Sequence, residues 1–301
     1  MKSAERHRNL HTVLSYIGRL TGVWRAGHDI CKSASLAGAL LVALLGSVTL
    51  SQSAPKVASI NVCTDQLAML LADKEQLTSI SYLSLDHKTS YLFEKAATYP
   101  LNHGRAEEIF LQKPDLVLAG SFTARATVDL LRRLGFQVEE FRPASTFDDI
   151  RNNIKRVGDL LEQPQRAEAL IAKIDQGLAE VELKKRARTI ALYYANNYTS
   201  GRGSLMDTVV RHAGFTNLAD KLSLSGYGQM PLEVLVMHQP DYLLMGERYE
   251  GAALAYQNYE HPALQAIKKQ AVSVTLPDNL TVCGGPFTVE AVKILSDIAY
   301  E

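Results

Sequence analysis

Two periods of hydrophobic spacing alternate along this chain from residue 57 onward. Val57-Ala58-Ser59-Ile60-Asn61-Val62 has the apolar run of a short strand, and Thr64 or Asp65 then caps a helix-period stretch from Gln66 to Ala72. Leu77 to Tyr82 reads as a second strand, and Ser84 to Asn102 as a polar, aromatic loop with a short helix. A helix over Ala106 to Gln112, a strand Leu116 to Ala119, a helix Arg125 to Leu134 stopped by Gly135, and a strand Val138 to Phe141 follow. Strands alternating with helices predict α/β architecture with mostly parallel sheets.

From Thr146 to Ala187 the strand period disappears. Thr146-Phe147-Asp148-Asp149 opens a helix to about Glu162, with an acid three residues after the cap, and Pro164 interrupts it. The next helix sets Ala167, Leu170, Ile171, Ile174, Leu178 and Val181 on one face. About 20 residues at 1.5 Å each make a rod roughly 30 Å long. The α/β pattern then resumes with a strand Thr189 to Tyr194, a loop Asn196 to Ser204 and a helix Leu205 to His212. Beyond these come a helix Pro231 to His238, a strand Tyr242 to Met245, a strand near Val272 to Leu276, the turn Cys283-Gly284-Gly285-Pro286, and a last helix from Thr288 to about Ile298.

One segment is written twice. Glu107-Glu108-Ile109-Phe110-Leu111-Gln112-Lys113-Pro114-Asp115-Leu116-Val117-Leu118-Ala119-Gly120 aligns without a gap on Glu233-Val234-Leu235-Val236-Met237-His238-Gln239-Pro240-Asp241-Tyr242-Leu243-Leu244-Met245-Gly246, with five of 14 positions identical. An acid favoured by the helix dipole starts each copy, proline stops its helix, an apolar strand follows, and glycine ends it. One copy precedes the linking helices and one follows them. The expected fold is therefore two similar α/β lobes joined by a long helix, with a ligand cleft between them. The boundaries read as a leader over 1–53, an N-terminal lobe over 54–145, linking helices over 146–187 and a C-terminal lobe over 188–301.

Charge sharpens the first boundary. Residues 1–53 hold six basic and two acidic side chains, and since the chain as a whole is neutral, the body carries the balancing net charge of −4. A mildly acidic body excludes a nucleic-acid partner, which would want a basic face. Arg19, Arg25 and Lys32 precede an uncharged run from Ser33 to Ala54 whose apolar centre, Leu36 to Leu50, falls short of the roughly 20 residues of a membrane span. It fits the hydrophobic region of a secretory signal, with small residues at Ser51 and Ser53 placing cleavage after Ser53. The body is then expected in the periplasm.

Catalytic patterns are missing: the sequence has no GxSxG, HExxH, P-loop or GxGxxG. His87, His103, His212, His238 and His261 are scattered, and no metal site or resident cofactor is expected. Gly201-Arg202-Gly203-Ser204, just before a helix, reads either as an anion cradle of backbone N–H groups or as an ordinary loop. The body has twelve tyrosines and no tryptophan. Tyr82, Tyr198, Tyr227 and Tyr249, with Phe122, Arg125, Arg202, Arg248 and Phe287, form the expected pocket, suited to a bulky amphipathic ligand. Cys63 and Cys283 each lie between a strand and a helix; they form a disulfide if their Cα atoms come within about 7 Å, and otherwise are thiols at helix N-termini.

Ser59-Ile60-Asn61-Val62-Cys63-Thr64-Asp65-Gln66-Leu67, the Glu107…Pro114-Asp115-Leu116-Val117-Leu118 segment, Leu232-Glu233…Pro240-Asp241 and Cys283-Gly284-Gly285-Pro286 together give the chain a family likeness. It resembles the helical-backbone class (class III) of periplasmic binding proteins, which serve ABC importers of ferric siderophores, haem and vitamin B12. The likeness implies a monomeric carrier whose ligand, an iron chelate or a corrinoid, itself contains the iron or cobalt. It also implies that Glu107 and Glu233 dock against arginines of the importer's permease, where residues alone say only that each complements a helix dipole. In B12-binding relatives tryptophan helps wall the corrin, so its absence from this body counts against a corrinoid. The alternative class is an exported α/β enzyme with a metal or cofactor in the interlobe cleft.

Overall fold

A computed structural model describes residues 54–298 apart from 183–187, 250 and 252. The leader and its cleavage after Ser53 lie outside the described residues. In the first lobe, β1 (Val57–Ser59), β2 (Leu77–Ser81), β3 (Leu101–Asn102), β4 (Leu116–Gly120) and β5 (Gln137–Phe141) form a parallel sheet in the order β3-β2-β1-β4-β5. In the second, β6 (Arg188–Tyr193), β7 (Tyr198–Ser200), β8 (Phe215–Asn217), β9 (Tyr227–Gln229), β10 (Tyr242–Met245) and β11 (Val272–Val274) divide in two. β11-β10-β6-β8 is a parallel sheet, and β7 pairs antiparallel with β9. Strand β1 beside β4 in the first lobe matches β6 beside β10 in the second, each with one further strand outside it. The edge strand β3 is peculiar to the first lobe.

Helices cover both faces of each sheet, which is why the central strands are apolar without alternation. In the first lobe these are α1 (Val62–Leu71), α2 (Phe93–Ala96), α3 (Ala106–Gln112) and α4 (Arg125–Arg133). The linking pair is α5 (Phe147–Leu160) and α6 (Pro164–Ala179). The second lobe has α7 (Leu205–His212), α8 (Leu232–His238), α9 (Pro262–Lys268) and α10 (Thr288–Ile298). Thr146 caps α5 in a reciprocal box with Asp149, and Pro164 sits in the first turn of α6, where its missing N–H costs nothing.

Three expectations are corrected here. Helix α1 begins at Val62, because Asn61 and not Thr64 or Asp65 is the cap, its Oδ1 accepting from the Cys63 N–H at 3.0 Å. Helix α6 has 16 residues, about 24 Å at 1.5 Å each, and is not an isolated rod. It crosses α5 where Gly158 leaves room for Ala167, and its Gly177 leaves room for Val289 of α10. Phe147, Ile150 and Ile154 of α5 join one hydrophobic core that contains Leu67 and Leu118 of the first lobe and Ile190, Val209 and Leu244 of the second. The linking helices thus weld the lobes into a shared core. Finally, the loop after β6 contains β7, whose pairing with β9 occupies the N–H groups of Gly201 and Arg202 on the carbonyls of Gly226 and Leu224. Ser204 caps α7, so the segment is a built turn with no free anion cradle.

Candidate functional site

The two copies of the repeated segment fold alike, and each identity has a physical use. Proline follows a residue in the left-handed region in both copies, Lys113 (φ 48°) and Gln239 (φ 40°), whose N–H closes the helix on Ile109 and Leu235. The aspartate anchors the neighbouring strand: Asp115 accepts from the Lys56 N–H at 2.8 Å, and Asp241 from the Thr189 N–H at 2.7 Å. Leu118 and Leu244 are buried. The glycine admits the side chain that leaves the adjacent strand. A Cβ on Gly120 would lie 2.6 Å from the Asn61 amide, and one on Gly246 would lie 3.0 Å from the Tyr194 ring. The glutamates stand exposed in the first turns of α3 and α8. Three and four residues on, the same face carries bare apolar groups: Phe110 and Leu111 (78% exposed) in one lobe, Val236 and Met237 (72%) in the other.

The carboxyl ends of the two sheets face each other, the usual ligand position in open α/β sheets. The loop after β2 makes the crossing. Lys88 Nζ donates to the Arg248 carbonyl at 2.8 Å and lies 4.6 Å from the Tyr249 ring centre. Asn279 donates to the His87 carbonyl at 2.8 Å. Tyr91 stacks on Phe287 at 5.0 Å and donates to Glu290 at 3.0 Å. Cys63 and Cys283 are bonded, with Cα atoms 5.1 Å apart, and Gly284 beside them leaves room for Ala144 and Ile150. From beneath, α1 holds this loop. Asp65 Oδ2 accepts from the Ser81 N–H at 3.0 Å and the Ser84 hydroxyl at 2.7 Å, and Gln66 Oε1 accepts from the Tyr91 N–H at 2.9 Å. Asp65 is fully buried, and burial pushes its carboxyl up to about 7 against those hydrogen bonds.

The expected pocket residues differ in freedom, and of them Tyr198, Arg248 and Tyr249 line depressions on the second lobe. Tyr82 is exposed and stacks on His103 at 5.1 Å; Tyr198, Tyr227 and Phe122 are exposed, the last at 85%. Phe287 is only 7% exposed and lies under Tyr91, so it supports the wall and is not a free face of it. Each arginine is already matched: Arg125 with Asp129 and Glu140, Arg202 with Asp220, Arg248 with Glu260. Tyr249 donates to Asp278 at 2.9 Å. Burial, that bond, and the charges of Asp278, Glu247 and Asp86 all push its phenol up. Burial also raises Asp278.

The sequence reading missed a second set of residues. Asn196, Asn197, Tyr198, Gln229, Gln257 and Asn258 line a depression of about 520 Å³ at the same edge of the second sheet, and Arg248, Tyr249 and Tyr256 line another of about 450 Å³ that also touches Gln257. Asn196 and Asn197 both have positive φ, which asparagine tolerates better than most residues. That pair at a strand end was the one available signal. The partners come from strand β9 and from the 3₁₀ segment Ala253–Glu260, far away in sequence.

Residues 57–274 match the family of periplasmic binding proteins. The chain belongs to that family. Among curated relatives, a cobalamin-binding protein of Halobacterium salinarum is 24% identical over 206 residues, 66% of this chain and 56% of that protein. The chain therefore spans little more than half the length of that relative. An uncharacterized ABC transporter substrate-binding lipoprotein of Bacillus subtilis, YvrC, is 22% identical over 267 residues, covering 84% of this chain and 82% of that one. The periplasmic heme-binding protein RhuT from Roseiflexus sp. RS-1 superposes with a TM-score of 0.66 at 20% identity, over 82% of this chain and 100% of its own. The two-lobed fold with parallel sheets and a linking helix is thus a periplasmic binding protein fold.

Proposed function

We propose that this chain is the substrate-binding component of an ABC importer, a carrier and not an enzyme. It is exported to the periplasm, acts as a monomer, and takes a metal chelate of the siderophore, haem or corrinoid kind into the interlobe cleft for delivery to the permease. The observation that carries this reading is the duplicated helix-to-strand unit. It gives the molecule two equivalent faces, one per lobe, each with an exposed glutamate beside two exposed apolar side chains. A partner that presents the same surface twice, a two-fold dimer, would meet both at once. Tyr82 and Phe122 follow the carboxyl ends of β2 and β4, and Tyr198 and Tyr227 begin β7 and β9; none lies on these two helices, so cargo and permease use separate surfaces. The names of the relatives, with cobalamin, heme and an ABC transporter among them, agree with a chelate carrier.

The test pairs binding with uptake. Glu107→Ala combined with Glu233→Ala is expected to leave chelate affinity within about twofold and to abolish uptake in cells that depend on this chain. Normal uptake by the double variant would refute the docking role.

A further inference from the structure

The chelate-carrier reading leaves the cargo open among anionic and neutral complexes, and the site's chemistry narrows it. Five carboxamides and Tyr198 dominate the 520 Å³ depression, and no residue lining it is charged. Each carboxamide offers two donors and one acceptor. The Asn258 Oδ1 is buried without a hydrogen-bond partner, while its Nδ2 donates to the Tyr194 carbonyl at 3.0 Å. An acceptor left bare in a wall otherwise made of amides awaits a donor from outside the protein.

The cations near this edge each have a partner already. Glu260 holds Arg248, Asp220 holds Arg202, and Asp129 and Glu140 hold Arg125. The N–H groups of Gly201 and Arg202 are committed to backbone carbonyls. Lys88 donates to the Arg248 carbonyl and lies over the Tyr249 ring. Burial and three carboxylates, Asp278, Glu247 and Asp86, raise the Tyr249 phenol, and Lys88 lies 4.6 Å from the same ring. The arginine pairs are solvent-exposed and contribute little, so it is the uncharged lining of the depression that favours a neutral complex.

The geometry points to an electrically neutral chelate with a carboxamide rim as the cargo, its amides seated on Asn196, Asn197, Gln229, Gln257 and Asn258. Two kinds of complex have this chemistry: a corrinoid, with its amide side chains, and a neutral ferric trihydroxamate on a peptide backbone. Haem, with two carboxylates, and a ferric tris-catecholate, with three negative charges, do not.

The test is calorimetric titration of the purified chain with cyanocobalamin, a neutral ferric trihydroxamate, haemin and a ferric tris-catecholate. One of the two neutral complexes is expected to bind at least tenfold tighter than either anion, and which one it is assigns the source. The tighter neutral ligand is also expected to lose about tenfold in affinity on Gln257→Glu combined with Gln229→Glu. Both side chains are exposed, so the melting temperature should hold. Haemin or the catecholate binding as tightly as the neutral pair overturns the inference and leaves the carrier reading standing. Unchanged affinity in the glutamate variant overturns the amide seat. No binding by any of the four overturns both.

Discussion

The two lobes share a scaffold and differ at its rim. Asp115 and Asp241 anchor the neighbouring strand in the same way, and Gly120 and Gly246 clear the same position beside it. What fills that position is different. In the first lobe Asn61 turns back to cap α1, and the space behind it is a sealed polar cluster around Asp65. In the second lobe Tyr194 stands there, and burial pushes its phenol up; beyond it the two-stranded sheet of β7 and β9 and a 3₁₀ segment carry the amide-lined depression. The duplicated parts build the scaffold and carry the glutamates proposed to dock, while the diverged parts form the rim where the cargo is proposed to sit.

The largest effect should come from uncoupling the lobes. The bond between Cys63 and Cys283 joins residues 220 apart, so Cys63→Ser with Cys283→Ser should cost about 2–5 kcal/mol in urea denaturation. A single transition is expected to persist, because one core runs through both lobes.

The sealed acid distinguishes the lobes by pH. Asp65 keeps its proton in the folded chain up to about pH 7 but loses it near 3.9 when unfolded, so between those values the native state binds the extra proton. Stability should therefore fall as pH rises from about 4 to 7, by up to about 4 kcal/mol, and then level off. Asp65→Asn should remove that slope and be the more stable form at pH 8, as thermal unfolding across the range would show.

The shared glycines offer the smallest contrast. Gly120→Ala meets the Asn61 amide at 2.6 Å and should cost about 1–3 kcal/mol. Gly246→Ala meets the edge of the Tyr194 ring at 3.0 Å, which can shift, and should cost less than about 1 kcal/mol. Equal costs would show that the two rims are less different than their side chains suggest.

The shared scaffold could be read from residues because its signals have fixed positions. Proline after a helix, aspartate after proline and glycine at a strand end each do one job, twice. The cap of α1 was misplaced because Asn61, Thr64 and Asp65 are all capping residue types, and only the tertiary demand of Ser81 and Ser84 takes Asp65 inside. The two-stranded sheet escaped because β7 and β9 are three residues each and a helix and a strand separate them in sequence. Helix α9, begun by His261 and Pro262, lies between two strands that the sequence does show, but its seven residues are too few to display a helical period. The rim was least legible. Gln229 and Asn258 have no sequence pattern in common; only the fold brings them beside Asn196. The acid partners of Arg202 and Arg248, Asp220 and Glu260, are likewise brought beside them only by the fold.

Amide hydrogen exchange with and without the tightest-binding of the four chelates tests most directly the claim that cargo and permease use separate surfaces. The account predicts new protection in the segments after β6 and β10, at 194–198 and 253–260, with none in α3 or α8. Protection confined to α3 and α8 would contradict it.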